Sequence, residues 1–134
     1  MEISYEKPTA KEYIDLRERA NMAGGRKSLD NSKKAIDGSI FIVSIRDKEK
    51  LVGMGRIVGD GGITYVVSDI MVDASYQGKG LGKRIMKEID NYFNENADKD
   101  SYITLIAVKP ADKLYSKFNF HYVEPKSSGM IRIV

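Results

Sequence analysis

The sequence predicts an α/β chain of the α+β kind, with a mixed, mostly antiparallel central sheet and helices on both faces. Three observations predict it. Residues 40–72 alternate β-branched apolar runs with turn residues, the pattern of an antiparallel meander. Residues 65–93 read as strand, glycine-rich turn and amphipathic helix, and that helix links the meander to one further strand. Helical patterns lie on both sides of the meander in sequence, so each face of the sheet can be covered.

The elements follow in order. Ile3 to Lys7 is a short strand that stops at Pro8. Thr9 can cap a helix with Glu12 three residues later, a capping box, and Tyr13, Leu16 and Ala20 then share one face. Ala23-Gly24-Gly25 breaks that helix. A second runs from Leu29 to Ile36, with Ser28 as its cap and Gly38 at its end. Ile40 to Ile45 is a strand, Asp47 to Lys50 a turn, and Leu51 to Val58 the next strand, with Gly53 and Gly55 inside it. Gly59-Asp60-Gly61-Gly62 is a hairpin turn, and Ile63 to Val72 pairs back. Leu81, Ile85, Ile89 and Phe93 repeat every four residues and place a long helix up to about Asn94. Ile103 to Val108 is unbroken in its apolar character and reads as a buried strand. Lys109-Pro110 opens a last helix, and Phe120 to Val123 with Met130 to Ile133 form a terminal strand pair.

Composition sets limits. At 134 residues and 15.0 kDa the chain, residues 1–134, fits a single domain with one core. Its net charge of +3 is too small to argue for nucleic acid, so no nucleic-acid partner is expected. There is no cysteine, which excludes disulfides, thiolate metal sites and a cysteine nucleophile. His121 is the one histidine, so a histidine-rich metal site is not expected and no metal is assigned. Without a signal-peptide layout at Met1 to Glu6 or an apolar run of about 18 residues, the expectation is a cytoplasmic protein with no membrane partner.

The run Gln77-Gly78-Lys79-Gly80-Leu81-Gly82 is the most informative stretch. Between a strand and a helix, it directs several unpaired backbone amides at one spot on a helix N-terminus, where the helix dipole also favours an anion. It is not a Walker loop, because only three residues separate Gly78 from Gly82 and Arg84 stands where a hydroxyl would hold magnesium. It is not a dinucleotide fingerprint either, being one residue short of G-x-G-x-x-G, and the next strand ends at Lys109 rather than at an acid. Read as Gln77, Gly80 and Gly82, it resembles the pyrophosphate signature of the GNAT acyl-CoA N-acyltransferases.

A second segment carries the same resemblance. Ala111-Asp112-Lys113-Leu114-Tyr115-Ser116-Lys117-Phe118-Asn119-Phe120 is similar to that family's A-x-x-L-Y-x-K-x-G-F. Asn119 stands at the turn glycine, and Asn is the next-best residue for a left-handed helix end. Val108 stands where many members carry an asparagine near the cofactor. The similarity runs from about Phe41 to Val134, and the N-terminal third fits by length and pattern.

The resemblance implies the GNAT fold, in which two central strands splay apart and the cofactor wedges between them. It implies an N-acetyltransferase that takes acetyl-CoA as co-substrate, with no metal, and passes the acetyl group to a primary amine by direct attack in a ternary complex. A small-molecule amine is the expected acceptor, from a likeness to the small-amine branch, and a homodimer is compatible with the family. Cofactor contacts fall on Ile70, Met71 and Val72 of the loop-proximal strand, on Gln77, Gly78, Lys79, Gly80, Leu81, Gly82 and Lys83, and on Tyr115. Tyr115 is the implied general acid, its hydroxyl near the cofactor sulfur. Asp69 is the candidate general base: a carboxylate inside an apolar strand is costly unless paired, which points to a task, the alternatives being that it faces solvent or pairs with a strand neighbour. A water chain is the other route for the proton, and His121 reads as a surface or packing residue. Two competing classes are a non-catalytic acyl-CoA-binding module, a sensor or assembly partner by role, and a nucleotide or nucleic-acid binder built on the basic loop.

Overall fold

A computed structural model describes residues 1–134. Its elements are β1 (Glu2–Ser4), α1 (Ala10–Arg19), α2 (Leu29–Asp37), β2 (Phe41–Asp47), β3 (Lys50–Gly59), β4 (Thr64–Val72), a 3-10 turn (Ala74–Tyr76), α3 (Leu81–Asn96), β5 (Tyr102–Thr104) and α4 (Asp112–Ser116). The helix starts follow local chemistry. Thr9 and Glu12 form the reciprocal capping box at α1, and the Ser28 side chain accepts from the Asn31 amide at α2.

The five strands lie in chain order, β1 to β4 antiparallel and β5 parallel to β4. The sheet separates two apolar layers. Ile85, Met86, Ile89 and Phe93 of α3 pack on one face against Val43, Ile45, Val52 and Tyr65. Tyr13, Ile14 and Leu16 of α1, with Ile36 of α2, pack on the other against Ile42, Leu51, Met54 and Met71. Helices thus cover both faces. Gly55 allows α3 to sit close: a Cβ there would lie 2.6 Å from Ile70 Cδ1 and 2.7 Å from Ile85 Cγ2.

Two irregularities shape the site. Along β3 the register passes from Met54↔Met71 to Arg56↔Ser68, so β4 carries one extra residue, a β-bulge. Asp69 lies in that bulge at φ +52°, a left-handed conformation that Asp tolerates better than most residues. Further, β4 and β5 pair only from Thr64↔Tyr102 to Val66↔Thr104 and then part, leaving the last residues of β4 without a strand on that side.

The C-terminal third departs from the sequence expectation. The strand expected over Ile103 to Val108 ends at Thr104, because its partner β4 diverges there, and Ile106 and Val108 are exposed. The expected terminal strand pair is absent. Residues 120–134 form no ladder with β5, the sheet ends at that strand, and Met130, Ile131 and Ile133 face solvent. The first strand is shorter than expected, and the last helix begins at Asp112, after a turn at Lys109 to Ala111.

Candidate active site

The glycine loop and Tyr115 meet in one cavity. It measures about 300 Å³ and is lined by Ile70 and Val72 of β4, Tyr76, Gln77, Gly78, Gly80, Leu81 and Gly82 of the loop, and Ala111, Leu114 and Tyr115 of the α4 segment. It lies where β4 loses its partner strand.

The loop is built to present amides. Gly78 (φ +80°) and Gly80 (φ +81°) take left-handed conformations, and a Cβ on either would meet no heavy atom within 4 Å. Gly80 is also the N-cap of α3 and offers no side-chain acceptor. The first amides of α3 therefore have no partner of their own, as at any uncapped helix start. None of the amides from Gly78 to Lys83 enters the backbone hydrogen-bond network. The Gln77 side chain folds back and donates to the Val72 carbonyl at 3.1 Å, tying the loop to the end of β4. Lys79 and Lys83 are exposed and add positive charge around the loop. Unpaired amides, a helix dipole and cationic side chains suit a phosphate or diphosphate group.

Asp73 steadies the approach to this loop. Its Oδ1 accepts from the Ser75 amide at 2.8 Å, and its Oδ2 accepts from Arg19 Nε at 2.7 Å. Burial opposes the Asp73 charge, but the Ser75 amide, the Arg19 guanidinium and Lys50 outweigh it and hold the carboxyl below its ordinary range.

Tyr115 is half-buried on α4 and stacks edge-on to Phe120 at 6.4 Å between ring centroids. Burial alone pushes its phenol above the ordinary value, so it stays protonated at neutral pH. Asn119 takes φ +68°, the left-handed turn anticipated for that position, and the Phe118 and Phe120 amides both donate to the Tyr115 carbonyl. His121 lines a different cavity, beside Asn94 and Phe118, and takes no part in this one.

Asp69 lies on the opposite face of β4 from Ile70 and Val72, among the N-terminal helices. Its side chain is 8% exposed. Oδ1 accepts from Arg17 Nη1 at 2.8 Å, and Oδ2 accepts from the Tyr13 hydroxyl at 2.6 Å and from Arg56 Nε at 2.7 Å. A carboxylate has about four acceptor positions, and three are filled here. Its side chain is thus held by three donors and is nearly closed to solvent. Asp69 has a partner on a neighbouring strand, Arg56 of β3, and does not line the cavity that holds Tyr115.

The structure thus brings Ile70, Val72, Gln77, Gly78, Gly80, Leu81, Gly82 and Tyr115 together around one cavity. Met71 sits in the same strand end, but its side chain is buried among those of α1. Sequence reasoning missed Tyr13, Arg17 and Arg56. Only Arg56 had a readable signal, since counting back from the Gly59 to Gly62 hairpin sets it opposite the Ser68–Asp69 region.

Comparison with known proteins gives the same frame. The acetyltransferase (GNAT) domain profile matches residues 15–129. An uncharacterized N-acetyltransferase, ycf52, of Pyropia yezoensis is 29% identical over 99 residues, covering 71% of this chain and 56% of that protein. A probable acetyltransferase, TAP2, of Glycine max is 26% identical over 89 residues, covering 58% and 36%. The chain therefore spans about half or less of the length of these curated relatives. Among solved structures, a protein of unknown function from meticillin-resistant Staphylococcus aureus, a probable acetyltransferase, superposes with a TM-score of 0.93 at 40% identity, covering 99% of this chain and 98% of the other. A GNAT family acetyltransferase of Streptococcus pneumoniae shares the fold, with a TM-score of 0.78 at 23% identity over 99% and 97% of the two chains. With a profile match over most of its length, on a fold shared with these structures and around a loop of free amides, this chain belongs to the GNAT acetyltransferase family.

Proposed function

We propose that the protein transfers an acetyl group from acetyl-CoA to a primary amine, by direct attack of the amine within a ternary complex. One observation carries this reading: the unpaired amides at the start of α3 and the Tyr115 phenol line one cavity at the point where β4 and β5 part. The Gly78 to Lys83 amides would hold the diphosphate. The free edge of β4 at Ile70 to Val72 would pair with the pantetheine arm, and an amide there would take the thioester oxygen as charge builds on it. The amine nitrogen attacks the carbonyl carbon, the C–S bond breaks, and the sulfur leaves as a thiolate that accepts a hydrogen bond or a proton from Tyr115. The proton lost by the amine passes to water, since Asp69 is engaged and His121 is elsewhere. A small-molecule acceptor, a cytoplasmic setting and a homodimer belong to the same proposal and follow from the family likeness.

The test is release of free thiol from acetyl-CoA across a panel of small amines and amino-terminal peptides, with a thermal melt in acetyl-CoA, ATP or a short oligonucleotide. The expected outcome is thiol release dependent on an amine, and stabilisation by acetyl-CoA well above that by ATP. Ligand at about 100 times its dissociation constant adds roughly 2.7 kcal/mol. Equal shifts with ATP and acetyl-CoA would overturn the cofactor assignment. An acetyl-CoA shift without thiol release from any amine would leave a binding module in place of an enzyme.

A further inference from the structure

Asp69 joins four parts of the chain that are distant in sequence. Tyr13 and Arg17 bind it from α1. Arg17 also donates through Nη2 to the Ala23 carbonyl at 2.6 Å, which holds the connection between α1 and α2. Arg56 binds it from β3 and reaches through Nη1 to the Ala35 carbonyl at 3.4 Å and the Ser39 hydroxyl at 3.3 Å, at the end of α2. All of this converges on the residue that makes the β4 bulge at φ +52°. The next residues are Ile70 and Met71, on the strand end that the proposed reaction uses.

We infer that Asp69 is a positioning residue for acetyl transfer. Its carboxylate locks the bulge that aims the free edge of β4, and it clamps α1 and the end of α2 against that bulge, beside the strand end that the proposed reaction uses. This rests on the acetyltransferase reading above, and it assigns Asp69 work done through other residues rather than proton transfer. The geometry accounts for the residue type. Asp tolerates the left-handed backbone, and its two oxygens accept from two part-buried guanidiniums and from the Tyr13 hydroxyl, which has no other partner.

The experiment compares Asp69→Asn, which keeps the size and the backbone tolerance, with Tyr13→Phe, which removes one bond to Oδ2 and leaves the ring in the core. Tyr13→Phe is the milder change and serves if Asp69→Asn does not fold. Two readouts apply. Amide hydrogen exchange at Ile70, Met71 and α1 should quicken together by at least about tenfold in Asp69→Asn and less in Tyr13→Phe, with α3 unchanged. Single-turnover acetyl transfer should fall about 10- to 100-fold in Asp69→Asn, and the acceptor KM should rise, while the pH–rate profile keeps its shape. A flattened profile with a normal acceptor KM would make Asp69 the base and overturn the inference. Unchanged exchange at the bulge and α1 would overturn it as well. If the wild-type protein acetylates no amine, the acetyltransferase reading fails, and the exchange data still decide whether Asp69 couples the helices to the bulge.

Discussion

Replacing Gly80 with alanine should weaken acetyl-CoA binding far more than it weakens the fold. Gly80 has φ +81°, and a Cβ there meets no protein atom within 4 Å, so the methyl clashes with nothing in the chain. Its structural cost is the backbone conformation, roughly 1–2 kcal/mol for an L-residue held in the left-handed region. For a domain of this size that lowers Tm by about 4–8 °C. The methyl would also occupy open space beside the start of α3, where the diphosphate would have to approach. A tenfold or greater loss of affinity is expected, about 1.4 kcal/mol or more.

Gly61 supplies the control. It too has φ +81° and no atom within 4 Å of a built Cβ, but it lies in the β3–β4 hairpin. The nine residues of β4 separate that hairpin from the loop, a distance of about 25–30 Å. Gly61→Ala should therefore carry the same backbone strain and leave the cofactor untouched. Both variants are measured by chemical melt and by calorimetric titration with acetyl-CoA. If they lose similar stability and their affinities stay within about threefold of each other, the loop is not the phosphate cradle.

Three other outcomes are expected. Tyr115→Phe should lower single-turnover acetyl transfer about 10- to 1,000-fold while acetyl-CoA affinity and Tm hold, because the ring stays and only the donor is lost; transfer at the wild-type rate would make Tyr115 a packing residue. Gly55→Val should destabilise the fold by about 1–3 kcal/mol, since its Cβ would press on Ile70, Ile85 and Ile89 at 3.0 Å or less; a chemical melt at the wild-type midpoint would refute the close α3 packing. Stability should hold from pH 7 to about 5 and fall as the pH drops through and below the ordinary carboxylate range near 4, because Glu12, bonded by Arg46, and Asp73 both have lowered pKa values in the folded state; melts between pH 7 and 3 test this, with a shallower fall expected in Glu12→Gln.

Much of the fold was legible because its signals are local. The Thr9–Glu12 box, the Ser28 cap, the Gly59 to Gly62 hairpin and the four-residue repeat of α3 each settle their element from a few neighbouring residues. The glycine loop and the α4 segment were legible for the same reason, and their meeting in one cavity followed from the family likeness. The C-terminal third was misread because an apolar run says only that residues favour burial. Whether Ile106 or Val108 joins a ladder depends on a neighbour remaining in reach, and β4 turns away after Val66. The Asp69 cluster was illegible for a further reason. Its bonds to Tyr13 and Arg17 span 56 and 52 residues, and no periodicity in the sequence links them. The sequence showed a carboxylate that needed partners, and only the structure supplied them.

The Tyr115 phenol places a limit on how the proposed reaction can finish. A free phenol has a pKa of about 10 and a thiol one of about 8.5, so full proton transfer from Tyr115 to the departing thiolate is already uphill by about 2 kcal/mol. Burial raises the phenol further, which makes complete transfer harder still. The same burial keeps the group protonated and available as a donor at neutral pH. A half-buried donor also meets less competing water, so a hydrogen bond to a developing sulfur charge is stronger there than in solution. Tyr115 would therefore act chiefly by hydrogen bonding while the C–S bond breaks, and the thiolate would gain its proton later from solvent. A raised phenol suits that role and disfavours a conventional general acid. The rate attributable to Tyr115 should then show no loss between pH 7 and 9, where a phenol with a lowered pKa would begin to titrate out.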